Sequence, residues 1–600
     1  MRLTFRPWQL VFALLGLYVC CVVASLGAVG ASLLSMKTVV QRNDFTGIER
    51  AAADLNKALR VTNLLTFGLA KKSPLILAYD VADLSQVGMR SARIAQAYLQ
   101  FSLNGKEQEA SLSLDGLAQS IADMRTLVDH FSSDLHRYPY ILSRVDDAFL
   151  AQLNNAGEYL NTAQAFMQIL PSLTGPEEKR YIVLLQNNME LRATGGFLGS
   201  FAYVTFQNGA MKDLQVQDIY VPDGQLNGYV EPPTPVKNYL HQTGGWKLRD
   251  ANWDPHFPAA AQTLLWFFEH GGYEHIDGVV SLNLSVMQNI LTAIGPVRLT
   301  DYNETVSAEN FYSLVQVETE HAFFPGATNK TDVLGALARA VMREMKELSP
   351  DKQVAVGNVL FSAARQRDLA FWFREPTAQQ AVQSLQWDGA TKRVVCDQQN
   401  CVGDNLYLVE SNVGVNKTNC CVQRDAIYDI WIQQDGSIRK TLALTYTNNN
   451  PANPQPPRFY GGGYENYLRI YTNPEASIQS IKVDDQPLSL SKITGYTWDE
   501  LGVNEYGFLA QIGGGEKRSY LVELKDTQKL DLSQMGEYSL LIQRQPGLRT
   551  NEYVLRLHYP GNLEVSTNTS SGDTIRQAGV VEMHLVVNTT TPIQFTLEPR

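Results

Sequence analysis

YIVLLQNNMELRATGGFLGSFAYVTF, residues 181–206, places a short apolar run on each side of a glycine-rich loop. The runs Tyr181–Gln186 and Phe201–Phe206 are rich in β-branched and aromatic residues, which predicts two buried strands. The loop between them contains an acid, an arginine, a threonine and several glycines. Glycine lets a backbone take positive φ angles or approach a ligand closely. The loop is therefore either a simple β-connection or part of a binding site.

Length and charge limit the possible classes of protein. A chain of 600 residues is too long for one hydrophobic core, so about three or four domains are expected. The formal net charge is −11, and no block of the sequence is strongly basic. Because phosphate binding needs a basic surface, nucleic acid is not expected as a partner.

The amino-terminal segment predicts a membrane anchor. Residues 11–34 contain no charged side chain, and a helix of that length is long enough to span a bilayer. Arg2 and Arg6 precede this run, and Trp8 lies where an interfacial aromatic residue is common. Small residues at 24–31 leave a cleaved signal peptide as the alternative. We expect an uncleaved anchor in the lipid bilayer, with residues 1–36 as cytoplasmic tail and span and the bulk of the chain extracytoplasmic.

Two further regions are predicted from periodicity. Residues 37–175 are rich in alanine and leucine at helical spacing, which predicts a helical stalk or bundle; helices packed directly on the next domain are the alternative. From about residue 424 the pattern changes to short strands, beginning with a hairpin around Asp435-Gly436. Many short strands without helices predict a β-sandwich over residues 424–600 that acts as a spacer or interaction module.

Three segments resemble a bacterial cell-envelope family known as domain of unknown function 4012. They are LLQNNMELRATGGFLGSF at 184–201, WKLRDANWDPHFPAAAQTLLWFF at 246–268, and HIDGVVSLNLSVMQNILTAIGPVRLT at 275–300. The resemblance is specific over about residues 179–388 and implies an envelope location. Strands and helices alternate here, so an α/β domain is predicted over residues 176–423.

The strand–helix–strand order of residues 276–297 is also similar to the LytR–CpsA–Psr (LCP) envelope proteins. That resemblance implies glycopolymer transfer from a polyprenyl-pyrophosphate carrier to the cell wall, with arginines, an aspartate and Mg²⁺ in the site. Arg192 falls near the first arginine of the LCP pattern. Where that family has Arg-Ser-Asp-Thr, residues 196–200 of this chain read GFLGS. The predicted fold class is thus a multidomain α/β protein: transmembrane helix, helical stalk or bundle, LCP-like α/β domain and β-sandwich.

Charged and polar residues on loops next to the predicted strands are the candidate ligand-binding residues. Ligands of open α/β sheets bind at the carboxyl ends of strands. Arginines beside carboxylates can hold a phosphorylated ligand directly or through Mg²⁺. The candidates are Glu190, Arg192, Thr194, Arg249, Asp250 and Asp254. We predict that Arg192 and Arg249 face one cleft; an ion-pair network that fixes the proline-rich loop at 226–243 is the alternative.

Four cysteines lie outside the predicted anchor, where disulfides persist. They are Cys396, Cys401, Cys420 and Cys421. Their spacing is not typical of zinc sites and no histidine lies close by, so at least one disulfide is predicted and no metal ligand is assigned.

Two functional hypotheses follow. The first is an extracytoplasmic protein that binds or transfers a polyprenyl-pyrophosphate-linked glycopolymer or another cell-wall polymer. If it is an enzyme, it is a glycopolymer phosphotransferase of LCP type, although no catalytic residue is assigned. The second is a non-enzymatic envelope or surface assembly protein with a degenerate LCP-like domain. The geometry of Arg192 and Arg249 is the observation that best separates them.

Overall fold

The computed structural model describes residues 7–41, 45–104, 114–145, 147–174, 177–241, 244–314, 329–396, 398–453, 461–549, 552–567 and 573–600. The chain divides into two compact units. The first comprises Met1–Glu178, Phe206–Lys212 and Leu348–Gln353. The second comprises Lys179–Thr205, Asp213–Glu347 and Val354–Arg600.

The described residues of the first unit between 7 and 174 are mainly helical, which confirms the prediction of a helical amino-terminal region. Its helices are α1 (Pro7–Gln41), α2 (Phe45–Leu65), α3 (Ile76–Asn104), α4 (Leu114–Arg137), α5 (Pro139–Leu142) and α6 (Asp147–Thr174), with a 3₁₀ helix at Leu69–Lys72. Within α1, Leu17–Val39 is long and apolar enough to cross a membrane. A signal sequence would satisfy the same criterion.

Apolar side chains pack between these helices. Val29 of α1 is 1% exposed and lies in one cluster with Leu55 and Leu59 of α2 and Ala82 of α3. The apolar stripe of α2 is therefore its buried face. A second cluster joins α3, α4 and α6 through Ile94, Leu117, Ile121 and Leu160. The amino-terminal helices thus form a packed bundle.

The second unit begins with a five-stranded mixed sheet. Its strands are β1 (Lys179–Asn187), β2 (Phe197–Gln207), β3 (Ala210–Asp218), β4 (Gly278–Asn283) and β7 (Leu369–Phe373), in the order β3-β2-β1-β4-β7. β1 and β4 are parallel, with Gln186 opposite Asn283, whereas β7 is antiparallel to β4. The carboxyl ends of β1 and β4 therefore lie side by side at one edge of the sheet.

Short helices and a small hairpin complete this part of the unit. The helices are α7 (Tyr220–Gln225), α8 (Thr234–Tyr239), α9 (Phe257–His270), α10 (Leu284–Ile294), α11 (Asn329–Lys346), α12 (Pro350–Arg365) and α13 (Pro376–Ser384). β5 (Val297–Leu299) pairs with β6 (Glu304–Val306). α9 packs on one face of the sheet, where the ring of Phe268 meets that of Phe201 at 4.9 Å.

Two large sheets form a β-sandwich at the carboxyl-terminal end. One has the order β14 (Thr494–Trp498), β15 (Val503–Ile512), β11 (Tyr464–Thr472), β8 (Cys401–Asn412), β17 (Gly536–Gln543), β22 (Thr591–Pro599) and β19 (Leu563–Thr567). The other has the order β13 (Gln486–Pro487), β12 (Ala476–Val483), β16 (Lys517–Lys529), β10 (Ser437–Asn448), β9 (Val422–Ile432), β18 (Glu552–His558), β21 (Val580–Val586) and β20 (Asp573–Gln577). Apolar side chains of both sheets form the main core.

The hairpin predicted around Asp435-Gly436 is confirmed, since β9 and β10 pair antiparallel with Ile432 opposite Ile438. The sandwich itself begins earlier than the boundary placed at residue 424, because β8 already starts at Cys401. β8 is buried along nearly its whole length. It therefore lacks the in–out alternation by which a half-buried strand is recognised in sequence.

Candidate functional site

The connection between β1 and β2 is fixed by buried hydrogen bonds. Oε1 of Gln186 accepts from Thr194 Oγ1 at 2.9 Å and from the backbone N–H of Gly196 at 3.0 Å. Asn252 Nδ2 donates to the same oxygen at 3.2 Å. A Cβ at position 196 would lie 2.3 Å from the carbonyl carbon of Asn187, so the close approach requires glycine. Thr194, a predicted ligand residue, is thus a buried contact within the loop.

Arg192 lies in the same connection and is 1% exposed. Nε and Nη2 donate to Asp250 Oδ1 at 3.2 and 3.0 Å, and Nη2 also donates to Glu190 Oε1 at 3.0 Å. Nη1 donates to the backbone carbonyls of Asn412 at 2.6 Å and Leu191 at 3.3 Å. These contacts engage every nitrogen of the guanidinium. Arg192 therefore joins the α/β part to β8 of the sandwich.

Arg249 meets the same network at Asp250. Its Nη1 contacts the carboxylate of Asp223, and its Nε lies 3.9 Å from Asp250 Oδ2. His241 Nε2 lies 2.8 Å from that Oδ2. Burial by itself would raise the pKa of Asp250, but Arg192, His241 and Arg249 hold that pKa below its usual value. The structure thus brings the two arginines to one carboxylate, in the arrangement of an ion-pair network.

Two of the predicted carboxylates have raised pKa values. Burial raises the pKa of Glu190, and Arg192 offsets this only in part. Burial also raises the pKa of Asp254 to about 6. Asp254 Oδ1 accepts from the backbone N–H of His256 at 2.8 Å. This hydrogen bond and the positive charge of Arg469 in the sandwich lower the pKa of Asp254, but less than burial raises it. Asp254 thus has partners different from those of the Arg192 network.

A large apolar pocket lies on the opposite face of the sheet from α9. In β1, Ile182 and Leu184 belong to the core under α9, whereas Val183 and Leu185 line the pocket. This follows from the alternation of side chains along a strand. The pocket has a volume of about 620 Å³, within the roughly 300–1,000 Å³ typical of small-molecule sites.

Helix α11 forms the opposite wall of this pocket. Its lining side chains follow a helical stripe: Leu334, Leu337, Ala338, Val341, Met342 and Met345. Methionine adapts to irregular apolar shapes because its side chain is unbranched and flexible. The stripe can be read in the sequence, but it indicates only which face of the helix is covered. Sequence analysis therefore missed the cavity beneath it.

A few polar groups lie at the rim of the apolar pocket. Asn187, Glu190 and Asn283 line it near the carboxyl ends of β1 and β4, and Lys417 lines it from a loop of the sandwich. Val415, in the same loop, is 63% exposed, so the pocket reaches the surface there. An apolar interior with a polar rim suits a ligand that has an apolar chain and a polar end.

A second, polar cleft has a volume of about 410 Å³. Some of its lining residues directly follow residues of the apolar pocket in the sequence. Asn188 of the β1–β2 connection lines it, as do Ser285 and Asn289 of α10 and Asn358 and Ser362 of α12. Amide and hydroxyl groups both donate and accept hydrogen bonds, which matches the hydroxyl groups of a sugar. The positions that line the two cavities are adjacent in the sequence after both β1 and β4.

The predicted disulfide candidates divide into two pairs. Cys396 and Cys401 form a disulfide, while Cys420 and Cys421 are free thiols. Within the described part of the chain, no group of three or more His, Cys, Asp or Glu side chains is arranged to hold a metal ion. A role for Mg²⁺ stays a prediction.

Comparison with known proteins identifies one sequence family. Residues 176–319 match the family described as "Protein of unknown function (DUF4012)". No curated protein matches the sequence. The resemblance to the LCP proteins stays a prediction.

Solved structures resemble parts of the chain only weakly. A putative nutrient binding protein from Legionella pneumophila is 7% identical, covers 33% of this chain and 72% of its own length, and has a TM-score of 0.24. An M1 zinc metallopeptidase from Deinococcus radiodurans is 10% identical over 30% of this chain and 42% of its own, with a TM-score of 0.18. A putative protease from Parabacteroides distasonis is 10% identical, covers 30% of this chain and 40% of its own length, and has a TM-score of 0.18. Such low scores carry no argument about function.

Proposed function

For a chain whose residues 176–319 belong to the DUF4012 family, we propose a membrane-anchored extracytoplasmic protein that binds a polyprenyl-linked glycopolymer. The apolar pocket between the sheet and α11 carries this proposal. Its walls are branched aliphatic, methionine and phenylalanine side chains, and its polar groups lie near the strand ends. Transfer of a flexible hydrocarbon chain from water to such a surface lowers the free energy.

The polar cleft supports a saccharide as the other end of the ligand. Asn187 and Leu284 line the apolar pocket, and the next residues along the chain, Asn188 and Ser285, line the polar cleft. In the described structure, the side chains of Ser285, Asn289 and Asn358 make no hydrogen bond, which leaves their donors and acceptors for a ligand. One amphipathic molecule that occupied both cavities would satisfy both sets of groups.

The proposed location follows from α1. Leu17 and Val23 on this helix are 63% and 62% exposed, which favours contact with lipid over packing in a soluble core. An anchor of this kind would hold the pocket near a membrane-borne carrier. We place the amino terminus in the cytoplasm and the remaining chain outside.

Binding is favoured over transfer because of the state of the two arginines. LCP-type transfer needs arginines that can hold a pyrophosphate. The guanidinium of Arg192 is already engaged by carboxylates and carbonyls, and Arg249 contacts Asp223 and Asp250. Releasing either arginine to a ligand would leave buried carboxylates without a partner, at a cost of several kcal/mol.

Filling the pocket tests the proposal. Ala338 of α11 lines the pocket, so Ala338→Phe would place a ring in the space proposed for the lipid chain. We expect the full chain in detergent to bind long-chain polyprenyl phosphate and the variant to bind it at least about tenfold more weakly, a loss of about 1.4 kcal/mol. Arg339→Phe adds the same ring at an exposed position of the same helix and should bind normally. Equal affinity of a folded Ala338→Phe variant would contradict the proposal.

The second candidate is a non-enzymatic assembly protein of the envelope. The ion pairs that occupy Arg192 and Arg249 favour this alternative, as does the size of the two-sheet sandwich. It predicts no affinity of the wild-type chain for polyprenyl phosphate. The binding measurement on the wild-type protein therefore separates the two candidates before any variant is made.

A further inference from the structure

A fully buried lysine lies between the two sheets of the sandwich. The side chain of Lys440, in β10, is 0% exposed. Its Nζ donates to Asp404 Oδ1 at 2.6 Å, Asn473 Oδ1 at 3.1 Å and Asp526 Oδ2 at 3.1 Å. Lysine is rarely buried, and an apolar side chain of similar volume would often be at least as stable at such a position. The cluster therefore calls for a chemical explanation beyond packing.

Asp404 accepts hydrogen bonds at both oxygens of its carboxylate, one of them from Lys440. The hydroxyl groups of Tyr428 and Tyr538 donate to its Oδ2 at 2.7 and 2.6 Å. Burial raises the pKa of both tyrosines well above the usual value, so the phenols keep their protons and continue to donate.

Asp526 accepts hydrogen bonds from Nζ of Lys440 and from Nδ2 of Asn473. One oxygen, Oδ2, accepts from Lys440 Nζ at 3.1 Å and from Asn473 Nδ2 at 3.0 Å. Burial tends to lower the pKa of Lys440, but Asp404 and Asp526 hold it above the usual value, so the side chain begins as an ammonium. Transfer of one proton from that ammonium to Asp526 gives two neutral groups.

We propose that Lys440 and Asn473 react with each other in the folded sandwich to form an intramolecular isopeptide bond. Asp526 first accepts a proton from the ammonium of Lys440. The freed lone pair on Nζ then forms a bond to Cγ of Asn473, while Asp526 passes its proton to Nδ2. The Cγ–Nδ2 bond breaks, ammonia leaves, and Asp526 takes the surplus proton from Nζ. No group is oxidised or reduced, and no cofactor is needed.

The geometry selects the asparagine over the aspartates as the carbon that is attacked. A carboxylate carries a full negative charge that repels a nucleophile, and the Oδ2 of Asp404 is already engaged by the hydroxyl groups of Tyr428 and Tyr538. The amide of Asn473 is neutral, lies within hydrogen-bond distance of Nζ, and has an acid–base group on its leaving nitrogen. Side chains held in such positions react with effective concentrations far above those in solution.

The bond would link the two sheets covalently. Lys440 lies in β10 of the eight-stranded sheet, whereas Asn473 directly follows β11 of the seven-stranded sheet. Hydrogen bonds within each sheet do not hold the sheets to each other, and the apolar core between them does so only non-covalently. A covalent tie at this point would resist separation of the sheets under heat, denaturant or force.

Peptide mapping of the purified full-length chain tests the inference. In an unmodified chain trypsin cleaves on both sides of Lys440 and releases separate peptides 441–458 and 470–482. With the isopeptide bond, Lys440 resists cleavage, and we expect one branched species of 440–458 and 470–482. After reduction of disulfides, its mass should be lower by one ammonia than the summed masses of peptides 440–458 and 470–482.

Two variants check the assignment. Lys440→Arg keeps the positive charge but removes the nucleophile, and Asp526→Asn keeps the shape but cannot relay protons; both should yield only unlinked peptides. Complete recovery of peptide 441–458 from folded wild-type protein would overturn the inference. A link that loses one water instead of one ammonia would also overturn it, because the carbon attacked would then belong to an aspartate.

Discussion

At position 192 an arginine stands beside a glycine-rich loop, and sequence alone cannot show whether its donors face a ligand or the protein. In the fold its side chain is 1% exposed and bonds to Glu190, Asp250 and two carbonyl groups. The decisive partners come from distant parts of the chain, since Asp250 and Asn412 are brought in only by tertiary structure. This is why sequence analysis named both arginines with Glu190 and Asp250 but missed the other partners and the arrangement. The partners missed are Asp223, His241 and Asn412.

Replacing Arg192 tests the structural reading. We expect Arg192→Met to lower the free energy of unfolding by about 3–5 kcal/mol, because it removes the buried guanidinium that pairs with both Glu190 and Asp250. Denaturant titration of the full chain in detergent would measure this loss. Arg374→Met is the control, since its ion pair with Glu269 is exposed and should be worth less than about 1 kcal/mol. A small loss of stability together with abolished lipid binding would instead assign Arg192 to a ligand.

Asp254 makes a prediction about pH. Its folded-state pKa is raised by burial from 3.8 to about 6. Its contribution to stability is therefore fully present below the unfolded-state pKa and is lost as pH rises through about 6. An asparagine side chain at this position would stay neutral and could still accept from His256. We expect the unfolding free energies of Asp254→Asn and the wild type to be equal at about pH 4. Above about pH 7 the variant should be more stable by about 1–3 kcal/mol.

A neighbouring histidine also makes the unfolding free energy depend on pH, and the comparison with Asp254→Asn removes its effect. Burial lowers the pKa of His256 to about 4, so this histidine also changes stability between about pH 4 and 6.5. Because His256 is present in both proteins, its effect cancels when the two curves are subtracted. Asp301→Asn makes the same substitution at an exposed position and serves as the control. A difference between wild type and Asp254→Asn that does not grow with pH would refute the assignment.

Single elements were predictable where the pattern along the chain is local. The apolar run at 181–186 became β1, and the Asp435-Gly436 turn became the β9–β10 hairpin. β8 was not found, because burial on both faces removes the alternation that marks a strand. The stripe on α11 shows which face of the helix is covered, but whether side chains or empty space lie opposite depends on the distance between helix and sheet. The pocket and the Lys440 cluster thus could not be predicted from periodicity.

At the scale of the whole molecule, the two units are stabilised in different ways. The helical unit depends on small and branched side chains that fit between helices, such as Ala82 against Val29 and Leu55. The second unit adds buried charge clusters to its apolar core, with Arg192 at the junction of sheet and sandwich and Lys440 inside the sandwich. Apolar side chains in place of such a cluster are often equally or more stabilising, so each cluster is a place to look for function.

The position of Val29 favours an anchor that is retained rather than a signal peptide that is removed. Cleavage near Ala31 would delete Val29, and its partners Leu55 and Leu59 on α2 would lose a buried contact worth about 1.5–3 kcal/mol. Because Leu17–Val39 is long and apolar enough to cross a membrane, we expect the chain that keeps α1 to stay in the membrane fraction after carbonate washing. Protease added from outside should remove nearly everything beyond Lys37. A soluble mature chain that begins near Ala31 would show that α1 is a signal sequence and that the bundle is stable without Val29.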